Sequence, residues 1–197
     1  MIPWRPSCSL ENLLERGRVL GVIRDFFRKK NVLEVQTSIL AHYGVTEPTI
    51  ASFKTNSGHY LQTSPEFQMK RLIAAGAPSI YQICPAFRQG EEGRSHNPEF
   101  VILEWYRLGF DSRQLIVEVT ELVDLILGGC DYQYCTVGQL LETEFDLDVY
   151  GDSDLRVAEV ARDQGLENVT GRSDGVDFLI ANALQRLPFE RVFVTEF

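Results

Sequence analysis

The stretch from Ser79 to Arg107 constrains this chain more than any other. Residues 79–88 and 99–107 each alternate with period two, and a polar loop joins them. That period puts successive side chains on opposite faces of a strand, so the two segments read as an antiparallel hairpin. On the second strand Glu99, Val101, Leu103 and Trp105 share a mostly apolar face that belongs against a core. Phe100, Ile102, Glu104 and Tyr106 share the other face. A carboxylate between apolar neighbours is costly unless a cation meets it. A ligand ammonium would do so, with the Tyr106 hydroxyl as a second partner. Phe100 offers a flat face to a nucleobase, and such stacking contributes about 1–3 kcal/mol. On the first strand Gln82, Cys84, Ala86 and Arg88 share a face, and the planar fork of Arg88 suits a phosphate oxygen. Glu91, Glu92, Arg94, His96 and Asn97 in the loop supply acidic and amide groups that suit an adenine edge. A plainer alternative stands beside this one: Arg88 and Glu104 as a cross-strand salt bridge with no ligand.

Elements on either side can be placed from capping and periodicity. Residues 10–30 read as an amphipathic helix, capped by Ser9, striped by Leu10, Leu13, Leu14, Leu20 and Phe27, and left at Asn31. A short strand over 32–37 and a mainly irregular stretch over 41–58 follow, then a short strand over 59–62. Thr63-Ser64-Pro65-Glu66 opens an apolar-periodic stretch that ends at Gly76. Thr63 or Ser64 as N-cap, Pro65 in the first turn and Glu66 near the positive end of the helix dipole are ordinary capping. Residues 112–127 form a strong helix, closed by Gly128-Gly129. Residues 136–145, 153–164 and 174–187 read as three further helices and 191–195 as a strand, inside which the chain stops at Phe197.

Composition bounds the function. With 44% apolar and 24% charged residues the chain resembles an ordinary globular protein. No apolar run approaches the roughly 18 to 20 residues that cross a bilayer, and the N-terminus shows no secretory pattern, so the expected location is cytoplasmic. A net charge of −9 argues against non-specific nucleic-acid binding, although Arg71, Arg88, Arg94 and Arg107 can still build a local positive pocket. Cys8, Cys84, Cys130 and Cys135, with His42, His59 and His96, show no zinc-ligand spacing, and the cysteines read as reduced thiols.

Arg94-Ser95-His96-Asn97-Pro98-Glu99-Phe100-Val101-Ile102-Leu103-Glu104-Trp105-Tyr106, after Phe87-Arg88, resembles the motif 2 hairpin of class II lysyl-tRNA synthetases. Thr63-Ser64-Pro65-Glu66-Phe67-Gln68-Met69-Lys70-Arg71-Leu72 resembles the substrate helix of that family, and residues 10–40 take the place of motif 1. The wording Thr63-Ser64-Pro65-Glu66 and Leu103-Glu104-Trp105-Tyr106-Arg107, with no room upstream for an anticodon-binding barrel, is closest to the branch that attaches β-lysine to elongation factor P. The resemblance implies an α+β catalytic domain with a mainly antiparallel sheet flanked by helices. Its parts are motif 1 at 10–40, the substrate helix at 63–76, the hairpin at 79–107 and a helical segment at 136–187. It implies a cytoplasmic, homodimeric ligase. Lysine or (R)-β-lysine reacts with ATP to give an adenylate, and the acyl group passes to a lysine of elongation factor P, with no tRNA and no membrane involved. By the same resemblance Ser64, Pro65, Glu66, Glu104 and Tyr106 bind the amino acid. Arg88 stabilises the α-phosphate in the transition state. Gln89, Gly90, Glu91, His96, Asn97 and Phe100 place ATP, and Mg²⁺ bridges its phosphates.

Departures from the family pattern sharpen the expectations. Thr37-Ser38 stands where the family has Thr-Pro, and Gly90 where it has Glu, with Glu91 the neighbouring candidate to replace it. The Gly-rich motif 3, its Arg and the late acidic metal ligands have no counterpart here. The resemblance therefore implies a chain truncated before motif 3, with its metal ligands lying elsewhere, that forms no adenylate unaided. Two other readings remain open: a fragment of a lysyl-tRNA synthetase, and a non-catalytic, amino-acid-binding paralogue.

Overall fold

The structure is a computed structural model that describes Trp4 and residues 8–47, 49–93, 96–169, 171–188 and 190–196. The order of elements is α1 (Leu10–Lys29), β1 (Leu33–Glu34), β2 (Leu40–Ala41), β3 (Tyr60–Leu61), α2 (Glu66–Ala74), β4 (Ile80–Phe87), β5 (Glu99–Tyr106), α3 (Ser112–Leu127), β6 (Gln133–Thr136), α4 (Val137–Phe145), α5 (Asp154–Asp163), α6 (Arg172–Arg186) and β7 (Val192–Thr195). The chain divides into two compact units, residues 1–127 and 128–197. The class is α+β. The sheets are small and mixed: β1-β4-β5, with β1 parallel and β5 antiparallel to β4, an antiparallel pair β2-β3, and a parallel pair β6-β7. The hairpin β4-β5 is the one extended antiparallel ladder, so the expectation of mainly antiparallel sheet holds there and not at β1 or at β6-β7.

In the first unit one face of the hairpin packs on helices, and the other carries the buried Gln82, Cys84 and Ala86 with the half-buried Phe100, Glu104 and Tyr106. Tyr81, Ile83, Leu103 and Trp105 turn towards Ile23, Phe26 and Phe27 of α1 and Leu122 of α3. Phe27 is fully buried, stacked on Tyr81 at 4.4 Å between ring centroids and tilted against Trp105 at 5.5 Å. Only the C-terminal half of α1 enters this core: Leu10, Leu13 and Leu14 stay exposed, so the apolar stripe is real but its first part is uncovered. Helix ends follow the local chemistry. Ser9 accepts from the Asn12 amide, and Asn31 takes φ +55 where the chain leaves α1. Gly76 and Gly128 take positive φ after α2 and α3, a conformation without steric cost for glycine. β4 carries Pro85, which donates nothing to a ladder. It is tolerated because β1 pairs only with Ile80 and Tyr81, and beyond them that edge of β4 meets Gln62 instead: the Phe87 amide donates to the Gln62 carbonyl at 2.9 Å.

In the second unit α4, α5 and α6 bury Val137, Leu141, Leu147, Val149, Val157, Val160, Ala161 and Leu179, with Val194 of β7 packed against them. Thr136 and Gln139 close a reciprocal capping box at the start of α4. The three helices and the final strand fall where the periodicity placed them, and β6 is an additional element.

Candidate active site

The face of the hairpin turned away from α1 and α3 gathers the residues singled out in the sequence. Register pairs Gln82 with Glu104, Cys84 with Ile102 and Ala86 with Phe100, so these side chains lie on one surface. At the far end Arg88 sits over the Phe100 ring, its guanidinium carbon 5.1 Å from the centroid. Its Nε donates to the carbonyl of Thr63 at 3.2 Å, which ties the hairpin to the segment leading into α2. Its Nη1 pairs with Glu91 at 3.4 Å. The expected alternative of an Arg88–Glu104 salt bridge is therefore not what forms; Glu91 takes that guanidinium.

Glu104 instead accepts from the Tyr106 hydroxyl at 2.8 Å. Burial pushes its carboxyl above the usual carboxylate range. The Tyr106 hydrogen bond opposes that shift, Glu66 adds to it, and the positive charges of Lys70 and Arg88 pull it back. Tyr106 is raised in turn, by burial first and then by its bond to Glu104. Two carboxylates thus lie within electrostatic reach of each other beside an arginine, an arrangement that favours a cationic guest. Glu66 is held at 2.5 Å by Lys70, one turn along α2. Ser64 accepts from the Glu66 amide at 3.3 Å, and Pro65 occupies the cap position of α2 in place of the expected Thr63 or Ser64, so the helix starts at Glu66, after the proline expected in its first turn. Ser64 and Glu66 also line a small cavity of about 50 Å³ with Leu61, Gln62 and Tyr43.

The loop residues divide differently. Glu91 meets Arg88, whereas Gln89, Gly90, His96 and Asn97 are exposed, with Gln89 bridged through its backbone to Ala51. Gly90 takes φ +85. A side chain there would be strained, which gives the departure at this position a conformational reason. Arg94 and Ser95 lie outside the described residues.

Sequence reasoning assigned no role to the buried amides. Gln82, 1% exposed, accepts the Thr37 amide at 3.1 Å and fastens the chain after β1 to the hairpin. Gln62 donates to the Pro85 carbonyl at 2.7 Å. Their signal in the sequence is faint: Gln82 stands among the apolar residues of β4 and Gln62 directly after β3, where an apolar residue is the rule for a buried position. Among the described residues no group of three or more His, Cys, Asp or Glu is arranged to hold a metal.

Comparison with known proteins places the chain in a family. The profile of the tRNA synthetases class II (D, K and N) matches residues 2–146, and the chain belongs to that family. Among individual proteins it is similar to the elongation factor P–(R)-β-lysine ligase of Pseudoalteromonas translucida, with 41% identity over 186 residues, 90% of this chain and 57% of that protein. The ligase of the same name from Haemophilus ducreyi is 37% identical over 195 residues, 93% of this chain and 60% of the relative. The Pasteurella multocida ligase is 41% identical over 167 residues, 80% of this chain and 50% of the relative. The chain thus spans between half and three fifths of the length of these relatives.

Proposed function

We propose that this chain supplies the amino-acid side of an adenylating site that activates (R)-β-lysine or lysine and delivers it, in the cytoplasm, to a lysine of elongation factor P. The reading rests on one observation above all: Glu104, bonded to the Tyr106 hydroxyl, lies on the same face of the hairpin as Phe100, over whose ring Arg88 sits at the far end. The relatives, named for that reaction, support it. In this reading residues 1–197 are one stretch of a class II catalytic domain.

The substrate ammonium groups take Glu66 and Glu104, with Tyr106 fixing the latter carboxylate and Ser64-Pro65 shaping the entrance. The substrate carboxylate attacks the α-phosphorus of ATP and pyrophosphate leaves. Arg88 meets the charge that grows on the α-phosphate, an electrostatic contribution that needs no proton transfer from the protein. Phe100 stacks on adenine, and Gln89, Gly90, Glu91, His96 and Asn97 border the nucleotide. In the second step an acceptor lysine amine attacks the adenylate carbonyl, and AMP leaves. Most of the rate gain is positioning. Among the described residues no group of three or more His, Cys, Asp or Glu is placed to hold Mg²⁺, and in this reading its ligands lie elsewhere. The exposed Leu10, Leu13 and Leu14 of α1 support a homodimer built on that helix.

Calorimetric titration of the 197-residue chain with β-lysine, lysine and ATP tests the reading. Glu104→Gln should weaken amino-acid binding by about tenfold or more, the effect of losing a charge-assisted contact of about 1.5–3 kcal/mol. Arg88→Ala should weaken ATP and spare the amino acid. Unchanged binding of all three ligands in both variants would sink the assignment.

A further inference from the structure

We propose that His42 and His59 form a two-imidazole chelate for a late first-row divalent cation, with Zn²⁺ and Ni²⁺ the chemical type. Neither residue belongs to the adenylating site, so the inference stands apart from that reading. β2 and β3 are antiparallel, with Leu40 opposite Leu61 and Ala41 opposite Tyr60. Carried one step further, the same register sets His42 opposite His59, and their rings lie 5.0 Å apart between centroids with planes inclined by 42°. Metal–nitrogen bonds of about 2.0–2.1 Å put the centroids of two imidazoles on one tetrahedral ion about 5 Å apart. The observed separation of 5.0 Å matches that spacing.

A second observation concerns what holds His59. Its Nδ1 lies 3.2 Å from Ser57 Oγ, which in turn lies 3.0 Å from Thr55 Oγ1. Thr55 Oγ1 accepts from the His59 amide at 3.1 Å, and the Thr55 amide donates to the His59 carbonyl at 2.7 Å. Gly58, at φ +83, makes this tight turn feasible. The tautomer that donates from Nδ1 to Ser57 leaves the lone pair on Nε2. That is how metal-binding histidines are oriented, with the second ring nitrogen fixed by an oxygen. His42 is exposed and His59 half-buried, so an ion can reach both. Among the described residues no third His, Cys, Asp or Glu completes the set, which leaves the other coordination positions to water and makes the site exchangeable. The same strand pair contributes Ala41 and Leu61 to the lining of the small cavity next to Ser64 and Glu66, so an ion here would pin that wall.

The chain has three histidines, which makes the experiment direct. NiCl₂ is titrated into the untagged 197-residue chain, with exposed Cys8 changed to Ser, and histidine ring signals are followed by ¹H–¹⁵N correlation spectroscopy. His42 and His59 signals should broaden together at one nickel concentration while those of His96 persist. His42→Ala, a change at an exposed position, should raise the nickel needed to broaden His59 by about tenfold or more, and Ser57→Ala by roughly tenfold. Independent responses of the two rings, an unchanged His59 in His42→Ala, or equal broadening of His96 would each overturn the proposal.

Discussion

Glu104 carries an electrostatic cost in the free chain. Its carboxyl is raised by burial, and the nearby Glu66 adds to the shift. A carboxyl whose pKa is higher folded than unfolded binds protons on folding. It contributes stability below its unfolded pKa, and that contribution is lost as pH rises through the raised folded value. At neutral pH the ligand-free chain therefore bears a charge it would rather shed. Glu104→Gln should melt at a higher temperature than the parent at pH 7, with the gap closing towards pH 4, as read by scanning calorimetry. A variant that melts lower at pH 7 would mean that the carboxylate is a net stabiliser. At this scale the parity of β5 was legible, because alternation alone separates Glu104 and Tyr106 from Leu103 and Trp105. The partner of Arg88 was not legible. It depends on how the loop turns at Gly90, a backbone choice that the sequence pattern leaves open. The roles of Gln62 and Gln82 were hidden for a related reason, since each bonds to backbone brought in from a distant segment.

Between elements, α1, β5 and α3 are joined by one buried carboxylate. Glu118 on α3 is 2% exposed, accepts from the Trp105 indole at 3.1 Å, and faces Arg107 at 3.2 Å and Lys30 at 4.0 Å. Arg107 Nε and Glu118 Oε2 are close in distance but poorly aligned as a hydrogen bond, so their attraction is mainly coulombic. Removing one partner of a buried pair leaves the other uncompensated, at a cost of about 3–5 kcal/mol. Glu118→Ala should lower unfolding stability by that order in urea denaturation, while a substitution at the exposed Glu121 should cost far less. Helices and their ends were legible because capping and periodicity are local: Ser9, Asn31, Gly76 and Gly128 all mark real boundaries. The shortest strands were not. β1 is two residues where six were expected, and β2 and β6 were missed, because such pieces owe their existence to partners far along the chain. The parallel pairings of β1 and β6 are of that kind, and no local pattern announces them.

Taken whole, the chain distributes its charge unevenly. Residues 1–127 hold fourteen Lys or Arg and fourteen Asp or Glu, whereas 128–197 hold five and fourteen, so the net −9 belongs entirely to the second unit. The boundary between the units passes through an exposed stretch, with Leu127 at 70% exposure followed by Gly128-Gly129. Exposed glycine-rich connections are preferred sites of nicking. Brief chymotrypsin treatment should cut first after Leu127 and release pieces of 1–127 and 128–197, identified by intact mass. First cleavage within the 89–98 loop would show that the hairpin tip opens more readily than this connection. No helix is long and apolar enough to cross a membrane among the described residues. The position of Trp105 has a further consequence. It is one of two tryptophans, and it lies between Glu104 and Tyr106 while its own ring looks the opposite way, onto Phe27 and Glu118. In the proposed site a guest held by the two flanking side chains would act on the same length of backbone. The indole would then be a native fluorophore kept off the guest itself, and a change in its emission on adding β-lysine is the expected signal of occupancy.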